Sequence, residues 1–121
     1  MTLNQTILII DDEPNLSRSL GLILQRAGYI VKTSHTFDDA IGSIDSDHYR
    51  LVILDNNMPA ANPVLLPKIL KVYPYLPVLI LSDTSLFDEE KENLPPSAHY
   101  LVKPISPERL LDCVNVLLNG S

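Results

Sequence analysis

Four carboxylates and one lysine stand at the ends of apolar runs in this chain. Asp11 and Asp12 close Ile7-Leu8-Ile9-Ile10, Asp55 closes Leu51-Val52-Ile53-Leu54, Asp83 follows Val78-Leu79-Ile80-Leu81-Ser82, and Lys103 follows Tyr100-Leu101-Val102. If the runs are strands of one parallel sheet, their carboxyl ends share an edge, and these five side chains meet in an acidic cup with a single cation. Such a cup suits a divalent metal and a phosphoryl group. Close carboxylates repel, since two unit charges about 4 Å apart interact by about 4 kcal/mol at an effective dielectric of about 20. Lys103 offsets part of that, and an octahedral Mg²⁺ held by one or two carboxylates, a backbone carbonyl and waters would offset the rest. Taken alone, Asp11-Asp12 reads equally well as a solvated loop or as the N-terminal cap of the next helix. With Asp55 and Lys103 also at strand ends, the cup is the better reading.

The elements that must position these groups alternate strictly. Short β-rich runs at about 6–10, 29–34, 50–54, 77–82 and 98–102 are separated by segments of helical periodicity, the pattern of βα units on a parallel sheet. After Pro14, the residues Leu16, Leu20, Ile23, Leu24 and Ala27 form one apolar face, and Gly28 stands where a left-handed C-terminal cap belongs. A shorter amphipathic helix runs from Phe37 to Ile44, with Phe37, Ala40, Ile41 and Ile44 on one side. Near the end, Ser106 can cap, Pro107 fits a first turn, and Leu110, Leu111, Val114, Leu117 and Leu118 face the sheet before Gly120. The runs 7–10, 51–54 and 78–81 are apolar throughout, as in strands covered on both faces, whereas Tyr29-Ile30-Val31-Lys32-Thr33 is polar enough for an edge. The expected architecture is α/β, a doubly wound five-stranded parallel sheet of order 2-1-3-4-5 with five helices on both faces. Strands 1 and 3 then adjoin where the winding reverses.

Composition narrows the function classes. The 121 residues are expected to form one domain, 1–121, around a single core. A formal net charge of −6, with nine basic residues scattered from Arg18 to Arg109, argues against direct nucleic-acid binding by this domain. No apolar stretch approaches the roughly 20 residues of a membrane span. The lone Cys113 and an N-terminus without a secretion signal point to the cytoplasm. His35, His48 and His99 are dispersed without metal-ligand spacing and read as surface or strand-end residues, and Cys113 as a packed thiol.

The motifs Ile9-Ile10-Asp11-Asp12-Glu13-Pro14, Leu54-Asp55-Asn56-Asn57-Met58-Pro59, Leu81-Ser82 and Tyr100-Leu101-Val102-Lys103-Pro104 occur in this order, each after its strand. Together they make the chain resemble the receiver domain of two-component response regulators over essentially its whole length. The resemblance implies that Asp55 is the phosphoacceptor, taking a phosphoryl group from a sensor histidine kinase or a histidine phosphotransfer protein. It implies Mg²⁺ held by Asp12, Asp55 and the backbone carbonyl of Asn57, with Asp11 joining through water. Lys103 would pair with Asp55 at rest and with the phosphoryl group afterwards, and the Lys103-Pro104 peptide would be cis. Ser82 would bond a phosphoryl oxygen and Tyr100 would turn inward, so that the acidic segment 86–94, the fifth strand and the last helix report the change to a partner. On this resemblance the protein is not an enzyme but a phosphoacceptor that assists its own phosphorylation and dephosphorylation. Its partners would be a kinase or phosphotransfer protein, an output domain or effector protein, and a second copy in a phosphorylation-promoted homodimer. The resemblance leaves open whether the receiver stands alone or an output domain follows Ser121.

Three departures from the family pattern matter. Receiver domains usually place a small residue directly after the switch hydroxyl, and here it is Asp83, which adds charge beside the acceptor. The loop after Pro59 reads Ala60-Ala61-Asn62-Pro63 in place of the usual glycine, and Pro67 predicts a third helix that begins late or is bent. Pro95-Pro96-Ser97-Ala98 replaces the usual Gly-Ala turn before strand 5. These departures leave a degenerate receiver, acting as a phosphorylation-independent interaction module, as the alternative function. An aspartyl-phosphate phosphatase of the haloacid-dehalogenase type is disfavoured, because it needs a second Asp where Asn57 stands.

Overall fold

Five parallel strands form one sheet in the order β2-β1-β3-β4-β5, in a computed structural model that describes residues 6–46, 48–58, 61–83 and 97–119. The strands are β1 (Thr6–Ile10), β2 (Ile30–Ser34), β3 (Leu51–Asp55), β4 (Val78–Ser82) and β5 (Ala98–Val102). Each lies within a residue of the run expected from periodicity. Among the described residues there are four α-helices rather than five: α1 (Pro14–Arg26), α2 (Phe37–Ser46), α3 (Leu66–Val72) and α4 (Pro107–Asn119). The acidic segment expected to be a helix at 86–94, and the prolines at 95 and 96, lie outside the described residues.

Side-chain alternation along the three central strands divides the core into two layers. Leu8, Ile10, Val52, Leu54, Val78 and Ile80 point to one face, where Ala40 and Ile44 of α2 and Leu66 and Ile69 of α3 cover them. Ile7, Ile9, Leu51, Ile53, Leu79 and Leu81 point to the other, under Leu20 and Leu24 of α1 and Leu110 and Val114 of α4. All residues of β1, β3 and β4 are buried, which is why these runs carry no polar alternation, while β2 at the edge is largely exposed.

Local chemistry sets the helix limits. Pro14 opens α1, and the chain leaves it through Gly28 at φ +100°, a backbone conformation that L side chains rarely adopt. The cap position of α1 is Glu13, not Asp11 or Asp12, and Glu13 makes no side-chain cap bond. That removes the capping alternative for the Asp11-Asp12 pair. Ser106 Oγ accepts the Arg109 N–H at 3.2 Å and starts α4 as its sequence anticipates. The third helix is irregular, as Pro67 requires: a π-helical turn at Ala61–Leu65 precedes α3, and Pro67 falls in the first turn of α3, where a missing N–H costs least. Tyr73, just beyond α3, donates its hydroxyl to the Ile44 carbonyl at 3.0 Å and ties α3 to α2. No described helix is long and apolar enough to cross a membrane.

Candidate functional site

Register alone brings the site together. Ile10 pairs with Leu54, so Asp11 and Asp55 emerge side by side from β1 and β3; Asp55 pairs with Leu81, and Ser82 with Val102, which sets Asp83 beside Lys103. Main-chain bonds continue the ladder past the strand ends. Asp11 N–H donates to Ser34 O at 3.0 Å, Asn56 N–H to Leu81 O at 2.8 Å, and Lys103 N–H to Ser82 O at 2.8 Å. The cup is therefore the ordered rim of the sheet rather than a meeting of free loops.

Asp55 forms its floor. One carboxylate oxygen, Oδ1, accepts the Asn57 N–H at 3.0 Å and the Lys103 ammonium at 3.1 Å. The other, Oδ2, is buried and has no hydrogen-bond partner among the described residues. Asp11 is arranged alike: Oδ1 accepts the Glu13 N–H at 2.8 Å, and Oδ2 is buried without a hydrogen-bond partner among the described residues. Asp12 is exposed, yet carboxylate oxygens of Asp11, Asp12 and Asp55 all lie within 4.8 Å of one another.

The electrostatics follow from burial and crowding. Burial, reinforced by the neighbouring Asp55 carboxylate, lifts the Asp11 pKa from 3.8 to about 6, against the opposing pull of the Glu13 amide and Lys103. For Lys103 burial works downward, and the hydrogen bond and charge of Asp55, with Asp83 and Asp11 behind it, outweigh burial and raise the pKa. A set of three carboxylates with two orphaned oxygens and no nitrogen or sulfur donor fits a hard divalent cation such as Mg²⁺. Burying unpaired acceptors is costly, so the cluster is not what stability alone would select.

The remaining expected residues sit close by. Ser82 is buried at the end of β4; Tyr100 is half-buried on β5, level with Ile80, and packs on the layer under α2 and α3. Asn57 is exposed at the turn after β3 and contributes its amide to Asp55. The Lys103-Pro104 peptide is cis. Asp83 is exposed, with Oδ1 3.7 Å from the Lys103 ammonium, so its side chain leans toward the cup.

One neighbour escaped the sequence reading. His35, read as a surface or strand-end residue, is indeed exposed just beyond β2, but it also places Nδ1 2.9 Å from the Asp11 carbonyl oxygen; a carbonyl only accepts, so Nδ1 carries the proton. The contact follows from the register, because Ile10 pairs with Ser34 and the next residue on each strand must adjoin, and that register is not legible in the sequence. His99 is exposed on β5, and Cys113 is half-buried in α4, where burial raises its thiol pKa against the pull of Arg109.

Comparison with known proteins agrees with this geometry. A family model described as the response regulator receiver domain matches residues 7–115. The response regulator ArlR of Staphylococcus aureus is 32% identical over 113 residues, which cover 93% of this chain and 52% of that protein. The chain thus spans about half the length of the curated relatives it matches. Among solved structures, a CheY-like receiver domain protein from Methanospirillum hungatei superposes with a TM-score of 0.87 at 25% identity, covering 98% of this chain and 96% of that one. The response regulator TrrA from Thermotoga maritima, in complex with Mg²⁺-BeF, gives 0.79 at 30% identity, covering 94% of this chain and 99% of that one. A doubly wound five-stranded sheet with its acidic cup at the switch point, matched by the family model over nearly its whole length, places this chain in the response regulator receiver domain family of two-component systems.

Proposed function

We propose that Asp55 accepts a phosphoryl group from a phosphohistidine on a sensor histidine kinase or phosphotransfer protein, and that the modified site alters affinity for an output domain or effector protein. The observation that carries this reading is the state of the Asp55 carboxylate: Lys103 and the Asn57 amide anchor Oδ1, while Oδ2 is buried without a hydrogen-bond partner among the described residues. A carboxylate oriented by a fixed cation and an amide, inside the carboxylate cluster that would hold Mg²⁺, is what nucleophilic attack on phosphorus requires. Asp11, Asp12 and Asp55, with the Asn57 carbonyl, would hold Mg²⁺, which when bound neutralises charge on the transferring phosphoryl oxygens. Lys103 supplies a fixed positive charge at the same place. In this role the protein is a phosphoacceptor rather than an enzyme acting on an outside substrate, and residues 1–121 act as one receiver domain.

The route from site to surface runs through β4 and β5. The Ser82 carbonyl accepts the Lys103 N–H, so a pull on Ser82 from a phosphoryl oxygen is transmitted to the end of β5. Tyr100 lies on that strand, and its rearrangement would report occupancy of the site to an effector or to a second copy of the chain.

The test is labelling. With Mg²⁺ and acetyl phosphate, the intact mass of the wild-type protein should rise by one phosphoryl group, and Asp55→Asn, which keeps the shape and removes the nucleophile, should stay unmodified. Equal labelling of both proteins overturns the proposal.

A further inference from the structure

Charge in the cup is graded from floor to rim. The side chain of Asp55 is 1% exposed, that of Lys103 15% and that of Asp83 65%, with the ammonium 3.1 Å from Asp55 Oδ1 and 3.7 Å from Asp83 Oδ1. Lys103 is thus shared between a buried and a solvated carboxylate, and the most exposed of these three charges is negative. Because Ser82 and Val102 are register partners, Asp83 and Lys103 are held side by side by the sheet itself.

That placement bears on what can react. An acceptor on the floor must attack phosphorus from below, so the leaving group, opposite the attacking oxygen, points outward past the rim. We propose that Asp83 is a donor-selecting residue, disfavouring phosphodonors whose leaving group departs as an anion, such as acyl phosphates, and favouring those whose leaving group is a protonated nitrogen. The inference rests on Asp55 being the phosphoacceptor. With either donor an O–P bond forms to Asp55. In the first class the P–O bond breaks and its electron pair leaves on a carboxylate; in the second the P–N bond breaks and its pair stays on nitrogen, which departs as a neutral amine or imidazole. Asp83 adds repulsion as negative charge grows on the first leaving group, and attracts the cationic nitrogen of the second.

The experiment compares acetyl phosphate with phosphoramidate, which carries a protonated nitrogen, in wild type, Asp83→Asn and Asp83→Lys across an ionic-strength series at saturating Mg²⁺. Asp83→Asn should raise the acetyl phosphate rate by about three- to tenfold at low salt, with the gain shrinking as salt screens the rim, and should leave the phosphoramidate rate equal or lower. Asp83→Lys should shift the ratio further in the same direction. A purely structural role for Asp83 would move both donors together and show no salt dependence. An unchanged ratio of the two rates in both variants overturns this inference while leaving Asp55 as the acceptor. If neither donor modifies Asp55 in the wild-type protein, the underlying reading falls and takes this one with it.

Discussion

Asp11→Asn should stabilise the metal-free protein at neutral pH and lose most of that advantage in acid. The Asp11 carboxyl is buried beside Asp55, with one oxygen on the Glu13 amide and the other without a hydrogen-bond partner among the described residues, and its pKa is lifted from 3.8 to about 6. A rise of that size corresponds to at most about 3 kcal/mol between the two ionisation states. Because the folded value lies above the unfolded one, the native state keeps a proton that the unfolded chain has already released between about pH 3.8 and 6. Stability from this group therefore falls as pH rises through that window, and the whole cost is present above it. Asparagine keeps a carbonyl acceptor for Glu13 and carries no charge. Urea unfolding with a chelator present should show the variant more stable by up to about 3 kcal/mol near pH 7.5 but only about 1 kcal/mol near pH 4.5, with unchanged m-values. Mg²⁺ should narrow the gap, since a native-state ligand at a hundred times its dissociation constant adds about 2.7 kcal/mol and the variant lacks one of the three carboxylates that would hold the ion. A difference that does not vary with pH, or a variant less stable at neutral pH, refutes the reasoning.

The other expectations are simpler. Lys103→Ala removes the cation from a buried carboxylate and should destabilise the protein by about 3 kcal/mol in chemical unfolding at neutral pH, far more than an exposed ion pair would lose; a loss under 1 kcal/mol means that Asp55 is satisfied otherwise. Two glycines should respond oppositely. Gly28→Ala, at φ +100° with open space around it, should cost about 1–2 kcal/mol purely through its backbone, and Gly28→Asn less. Gly21→Ala, inside α1 with Val31 Cγ1 3.6 Å from the added methyl, should raise stability by about 0.5–1 kcal/mol, and thermal melts of the pair check both signs.

Sequence periodicity was enough for the five strands and three of the helices, because each of those is dictated by side chains a few residues apart, while the strand order followed from the handedness and doubly wound topology of βα units. The fully apolar runs of β1, β3 and β4 demand cover on both faces, the mixed run of β2 demands an edge, and Gly28 and Ser106 mark helix ends by their own backbone and hydroxyl chemistry. The convergence of Asp11, Asp12, Asp55 and Lys103 was also legible, since parallel strands share a carboxyl edge whatever their exact register. What needed tertiary structure was everything that depends on register and depth. Sequence could place Asp11 and Asp12 together but not show that one is buried with an orphaned oxygen and the other open to solvent, which is what raises the pKa of Asp11. It could flag Asp83 as unusual but not aim its carboxylate at Lys103, and it missed His35 on the Asp11 carbonyl because that contact joins strands 24 residues apart. Pro67 announced an irregular third helix, but the π-helical turn that absorbs it is a compromise among local bonding, the fixed φ of proline and the packing of Leu65, Leu66 and Ile69 on the sheet. Short-range chemistry writes the elements; the distances that set charge and reactivity arise only when those elements are packed.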